Sequence, residues 1–439
     1  MSARVLHLAD LHLDSAYGGR PATRSALRRA TLEALDRAFA FAVDEGLDAV
    51  VVAGDAFDDA GLGHECRTRL RTGVAALARA GVHFVYATGN HDPGGPGAEA
   101  RRLGLERLGS AARERVHVAL DGRAQRFVLP RDGRDALEVS AVGHEHARVT
   151  DDLSARLRGW TRDDLPRLAV LHTQVGAARG ADDHAPYAPS SRDSLARVGA
   201  HYLALGHVHV RGRVDPGLQA WYPGNLQGRS ARESGPKGGL LVELDADGVL
   251  QDPRFVPFAG IEHRTVDLGF ADEEARGADD VLHAAARALH VLPEPIHAPA
   301  LVLRARVSGR LAPSLERDLA DRSARAALED TVRDELTAAG AAGELLEVEL
   351  GLGSRALPAS EDALLDALLA SPSAAREALE LARAIELGAE AADGLALDGS
   401  LPASTDAGER RRRIAELAPG LQAEVLRRIS GADGAEPGR

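Results

Sequence analysis

The sequence predicts an α/β fold, with a small α+β accessory domain and a helical C-terminal region after the main domain. Three observations carry this reading. Short apolar runs alternate with helix-period stretches through residues 1–255. Most of those runs end in aspartate, asparagine or histidine, as strand ends around a ligand site do in open α/β folds. Beyond residue 255 the pattern changes, first to a compact strand–helix alternation and then to charged, helical sequence.

Residues 5–9 and 49–53 are short and apolar, as central parallel strands buried on both faces are. Between them Leu27, Leu32, Leu35, Phe39 and Val43 recur at helical spacing, which predicts a helix over 25–43. An alanine-rich helix over 65–80 leads into a third strand at 82–87. Further strands are expected at 137–142, 168–171 and 201–205. Another follows at 240–244, after a loop rich in Gly, Pro and Arg. The accessory domain, residues 260–355, reads as strand 261–268, helix 271–289, strand 301–307, helix 323–338 and strand 345–350, with no cluster of candidate ligands. Residues 358–430 carry two apolar faces. Leu364, Leu365, Leu368 and Leu369 make one, and Leu421, Val425, Leu426 and Ile429, on a helix after Pro419, make the other. A small, polar linker occupies 392–408.

The 439 residues are enough for more than one domain, and 44% hydrophobic content is ordinary for a soluble globular chain. No run approaches the roughly 18 apolar residues of a membrane span. The N-terminus reaches a charged residue before a signal-peptide core could form, so a cytoplasmic location is expected. Cys66 is the only cysteine, which excludes an internal disulfide and makes thiolates minor metal ligands at most. A net charge of −13 argues against broad coating of nucleic acid but leaves room for a local basic groove.

Five segments carry the chemistry: Asp10-Leu11-His12, Gly54-Asp55, Gly89-Asn90-His91-Asp92, His172, and Gly206-His207-Val208-His209. A packed core has no use for so many hard and borderline ligands at strand ends, whereas a pair of metal ions does. Asp10 and His12 alternate across one residue, as do His207 and His209, so each pair can face one cleft.

These segments resemble the calcineurin-like metallophosphoesterase family. Within it the chain is similar to the DNA repair exonuclease branch related to SbcD and Mre11, and the stretch from Tyr222 to Gly238 is similar to its YhaO-like members. The resemblance covers residues 4–240 and implies an α/β/β/α sandwich. It implies a metal-dependent phosphodiesterase, a DNA exonuclease or endonuclease in repair, in which water activated by two metals attacks phosphorus. The family pattern assigns one divalent ion, manganese by preference with Fe, Zn or Mg as substitutes, to Asp10, His12, Asp55 and His209. The second goes to Asp55, Asn90, His172 and His207, with Asp55 bridging. His91 would act beside the scissile phosphate, supported by Asp92. Relatives often carry a histidine three residues after the bridging aspartate. Here that position is Asp58, so it either points away or another donor (His64, Arg229 or Arg232) takes over. The resemblance also implies DNA and a Rad50/SbcC-like coiled-coil ATPase as partners, the latter docked on the C-terminal helices, and a homodimer is compatible with it.

In the loop after Tyr222, Asn225 could hold the loop or touch the site. Arg229, Arg232 and Lys237 could position a nucleic-acid backbone, or pair with Glu233 or a nearby acid at the surface. His7 reads as a core histidine or one that backs a ligand, His144 and His146 as structural or peripheral, Trp221 and Tyr222 as packing residues, and Asp182, Asp183 and His184 as a surface loop. Two other functions fit the same residues: hydrolysis of a nucleotide or other small phosphoester, and a non-catalytic scaffold role within an ATPase complex.

Overall fold

The structure is a computed structural model that describes residues 2–58, 61–176, 187–340 and 343–353. In chain order its first elements are β1 (Ala3–Leu8), helix α1 (Pro21–Asp44), β2 (Ala49–Ala53), helix α2 (His64–Arg79), β3 (His83–Ala87) and β4 (Val116–Ala119). There follow β5 (Gln125–Arg131), β6 (Arg134–Val142), β7 (Arg167–His172), β8 (Tyr202–Gly206), β9 (Gly212–Arg213) and β10 (Ala220–Tyr222). The last are β11 (Gly238–Asp245), β12 (Gly248–Val249), β13 (Arg254–Pro257), β14 (Ile261–Ala275), β15 (Ala300–Leu311) and β16 (Glu344–Leu352).

Two sheets stack face to face. The first runs β12-β11-β1-β2-β3-β4, with β13 also on β11, and the second runs β5-β6-β7-β8-β10-β9. β1 to β4 are parallel, as are β6, β7, β8 and β10. The 240–244 strand expected from sequence is β11, and it pairs antiparallel to β1. Alternate residues fill two different layers. Val5, Val51, Val85, Val139, Val170 and Ala204 meet between the sheets. Leu6, Leu8, Val50, Val52 and Phe84 face outward onto Leu32, Leu35 and Phe39 of α1 and Leu70, Val74 and Leu77 of α2. A further cluster that includes Leu153, Leu157, Leu171, Leu195 and Leu205 covers the outer face of the second sheet. Burial on both faces explains why these strands read as continuous apolar runs.

By contacts the chain forms two compact units. Met1–Leu268, Arg276–Arg306 and Arg317–Gly351 make one; Gly269–Ala275 and Val307–Glu316 belong to the other. The 260–355 segment contains a three-stranded sheet ordered β14-β15-β16. In the first unit, Ile261, Ala300 and Val302 bury against Leu27 and Ala30 of α1. In the second, Ala312 N donates to Ala275 O at 2.8 Å. The helix expected from residue 271 starts only at 278, because β14 continues to Ala275. Val266, Leu268 and Phe270 stay buried while Asp267 and Gly269 are exposed, a period-two pattern that the acidic residues 272–274 disguise as a helix start. The segment 358–430 and the loop with Asp182, Asp183 and His184 lie outside the described residues. Among the described residues, no helix is long and apolar enough to cross a membrane.

Candidate metal centre

The carboxyl ends of β1, β2, β3, β7 and β8 share one rim, and the loops leaving them carry the seven candidate ligands. Backbone conformation there is unusual. Asp10, His12, Asp55 and His207 have φ of +50°, +45°, +53° and +106°, where L-residues other than glycine are uncommon. Such strain persists only where surrounding structure enforces it, and it gathers at functional sites. Glycines make the close approach possible. A Cβ on Gly89 would lie 2.2 Å from Asp55 Oδ1, and one on Gly206 would lie 1.8 Å from Ala53 O.

All seven side chains converge. Asp10 Oδ1 is 3.7 Å from His209 Nε2, which is 3.1 Å from His12 Nε2. Asp55 Oδ2 lies 3.9 Å from His12 Nε2 and 3.3 Å from His172 Nε2. Asn90 Oδ1 is 2.9 Å from His172 Nε2 and 3.0 Å from His207 Nδ1. Asp55 thus stands between two groups of donors.

The protonation pattern fits cations. His12 Nδ1 donates to Asp58 Oδ1 at 2.6 Å, and His209 Nδ1 donates to Glu233 Oε1 at 2.8 Å. His172 Nδ1 donates to Ala53 O at 2.9 Å. In the neutral rings of His12 and His209 the remaining Nε2 is then a lone pair, and these two lone pairs face carboxylate oxygens and each other. Acceptors aimed at acceptors in a buried site call for positive charge. Burial works against charge on His172, yet Asp55 and Asp10 outweigh it and hold its pKa up at about 9. These residues therefore fit the two metals the resemblance implies.

His91 stands apart from the ligands. Its side chain is 45% exposed at the cleft, and its Nδ1 is 3.3 Å from Asp58 Oδ1. Its backbone N donates to Asp55 Oδ1 at 2.9 Å. The Asp58 bond raises its pKa against the opposing effect of burial. Burial would push Asp58 upward, but the hydrogen bonds with His12 and His91 hold it well below the usual carboxylate range. Asp58 therefore points into the site. His64, one of the candidate replacement donors, is exposed at the start of α2.

Asp92 corrects an expectation. It does not support the His91 side chain. Its carboxylate accepts from Tyr86 OH (2.6 Å), Gly89 N (2.6 Å), Ala56 N (2.5 Å) and Asp55 N (3.2 Å), pinning two ligand loops together. The residue after a catalytic-looking histidine invites the wrong assignment, because the chain turns between them.

The loop after Tyr222 also departs from expectation. Asn225 is fully buried and donates to Gln227 O and Glu233 Oε2, so it holds the loop. Lys237 is buried, not a surface cation; its Nζ donates to His209 O at 2.9 Å, and burial lowers its pKa to about 8. Arg229 is half-buried beside the cleft. It binds Glu233 Oε1 at 2.8 Å, reaches Ser15 Oγ at 3.2 Å and approaches His209 Nδ1 at 3.2 Å. Arg232 is exposed on the same turn. Glu233 is what the sequence reading missed. It was visible there only as a partner for arginine, and nothing local signals its bond to His209, 24 residues away.

Of His7, His144 and His146, two are structural and one is peripheral. His7 bonds Tyr202 OH and Leu205 O in the core; His144 Nε2 donates to His172 O at 2.8 Å; His146 is exposed. Tyr222 is buried with its hydroxyl on Thr173 O, a packing role.

Residues 3–211 match the family described as calcineurin-like phosphoesterase. The chain is 29% identical over 245 residues to the uncharacterized metallophosphoesterase YhaO of Bacillus subtilis, covering 54% of this chain and 57% of that protein. It is 30% identical over 291 residues to SbcD, a component of the nuclease SbcCD, of Rhodobacter capsulatus, covering 58% of this chain and 69% of that protein. To the DNA double-strand break repair protein Mre11 of Aeropyrum pernix it is 30% identical over 282 residues, covering 61% and 64%. The matched region thus spans a little over half to about two thirds of these relatives' own lengths. Calcineurin-like phosphoesterases bind two divalent metals. With two sandwiched sheets, one ligand-bearing rim and these relatives, the chain belongs to the calcineurin-like phosphoesterase family, in its SbcD- and Mre11-related branch.

Proposed function

We propose that this chain is a metal-dependent phosphodiesterase that cuts DNA in repair, with manganese as its preferred metal. The observation that carries the reading is the bridging place of Asp55 between Asp10, His12 and His209 on one side and Asn90, His172 and His207 on the other. Relatives named as part of a nuclease and as a double-strand break repair protein supply the DNA assignment. Two divalent cations held there would activate water for attack on phosphorus and neutralise charge growing on its oxygens.

The chain's own residues do the rest. Asp10, Asp55, Asn90 and the four histidines hold the cations. His91, exposed at the cleft and with its pKa raised by Asp58, donates a proton to the leaving sugar oxygen or stabilises charge on the phosphoryl group. Arg229, at the cleft edge, contacts a backbone phosphate; Arg232 extends that contact. A coiled-coil ATPase of the Rad50/SbcC type is the proposed protein partner, docked through residues 358–430.

The test is cleavage of end-labelled single- and double-stranded DNA with manganese, magnesium or chelator, beside His91→Ala. Manganese-dependent cleavage that the substitution abolishes supports the reading. Turnover of a small phosphodiester with no cut in either DNA would overturn the DNA assignment.

A further inference from the structure

Lys237 is the only lysine among the chain's 53 lysine and arginine residues. It is 6% exposed, and its Nζ donates to His209 O at 2.9 Å. Among the described residues that carbonyl is the one acceptor of the ammonium, and no carboxylate pairs with it directly. Burial works against the charge; Glu233 and Asp10 favour it, while Arg211 and Arg229 oppose it. A buried cation with so little direct compensation is costly, and the phosphodiesterase chemistry above gives it no task.

Its surroundings suggest one. Lys237 O accepts from Phe258 N at 3.1 Å and from Ala259 N at 3.2 Å. The next residue, Gly238, opens β11 and pairs with Pro257 of β13. The lysine stem therefore rises from an anchored backbone, and its far end reaches the main chain of a metal ligand. The His209 ring meets the same loop, since Nδ1 donates to Glu233 Oε1 at 2.8 Å. Space at the carbonyl is tight. The backbone of Gly224 packs there, and a Cβ on it would lie 2.9 Å from His209 O and 3.2 Å from Arg211 N. An ammonium is a compact charge on a flexible stem, whereas a guanidinium is a wide planar fork of N–H donors. With one carbonyl as acceptor, arginine would strand more buried donors than lysine does. A chain that uses arginine at every other basic position has lysine where only the smaller cation fits.

We infer that Lys237 is a positioning residue of the metal centre: it acts through the His209 carbonyl to aim the His209 ring at the site, and the position requires an ammonium rather than a guanidinium. This inference rests on the metal-binding reading above. Lys237 touches neither substrate nor cation, so its whole effect on metal binding passes through His209.

The test is a double-mutant cycle read by calorimetric titration of metal-free full-length protein with manganese. Lys237→Met should weaken manganese binding by about 10–100-fold, and Lys237→Arg should not restore it. In a His209→Ala background, Lys237→Met should change the remaining affinity by less than about twofold, because its route is already cut. Wild-type affinity in Lys237→Met, or an equal loss in the His209→Ala background, would overturn the inference; wild-type affinity in Lys237→Arg would overturn the ammonium requirement. Circular dichroism confirms that each variant folds. Where one does not, or where His209→Ala binds no manganese, the wild-type protein decides. Labelling with 13C-lysine gives one side-chain signal, from Lys237. Saturation with zinc, a diamagnetic ion, should shift that signal, and an unmoved signal would overturn the inference. No metal binding by wild type would overturn the metal-binding reading as well.

Discussion

The Asp58 carboxylate lies 3.3 Å from Nδ1 of His91, and it is held ionised there by its hydrogen bonds with His12 and His91, the second of which raises the His91 pKa. A residue that would repel a phosphate in isolation is instead the partner of the histidine proposed to act beside it. The missing histidine at this position is thus replaced by a different relation: a carboxylate that acts through His91 and His12.

The pH dependence of turnover follows. A histidine with raised pKa keeps its proton to higher pH and loses it as pH climbs through that value. Activity that needs protonated His91 should fall on the alkaline side. Asp58→Asn removes the main cause of the shift, so that limb should move to lower pH. His91→Ala should lower turnover by about 10²–10⁴-fold while manganese still binds. Rate–pH profiles with a small phosphodiester, beside metal content, check both; an unmoved alkaline limb in Asp58→Asn would contradict the pairing.

Asp92 serves the scaffold. Replacing it with alanine strands four donors, those of Tyr86, Gly89, Ala56 and Asp55, in a buried setting. Loss of about 2–5 kcal/mol of folding stability is expected. Urea denaturation reads this directly. A variant as stable as wild type but without turnover would return Asp92 to a catalytic role.

Gly89 is required by space. A methyl there would sit 2.2 Å from Asp55 Oδ1 and 2.8 Å from Asp55 N, so the bridging carboxylate must move. Gly89→Ala should fold, at a cost of about 1–3 kcal/mol, yet retain little manganese. Elemental analysis after loading and desalting settles the point; full occupancy would mean that the Asp55 loop is looser than its contacts imply.

Manganese binding should itself depend on pH. With a pKa near 9, His172 is protonated at neutral pH in the metal-free protein, and the ion has to displace that proton. Apparent affinity should weaken by on the order of tenfold for each pH unit lowered through the neutral range. Titrations at pH 7 and 8 in buffers of different ionisation enthalpy would show the released proton, and equal affinities would count against it.

Much of this was readable before any fold was known. Strands buried on both faces leave continuous apolar runs, so the ends of β1, β2, β3, β7 and β8 marked themselves, and the ligands stood next to them. The supporting residues left no such trace. Asp58 meets His12 from 46 positions away and Glu233 meets His209 from 24, and their roles exist only once the chain has closed. Lys237 misled for a related reason. A lone lysine among glycines suggests a surface cation, but the loop folds inward and its ammonium finds a backbone carbonyl. The acidic end of β14 misled locally, since acidic residues within a strand and acidic residues at a helix start look alike in sequence.

Crystals soaked in manganese and measured at its absorption edge test the centre most directly. Two anomalous peaks, about 3.5–4 Å apart with Asp55 between them, are the predicted result, one ringed by Asp10, His12 and His209 and the other by Asn90, His172 and His207. No peak at this rim, or a lone ion that leaves Asp55 unbound, would contradict the account.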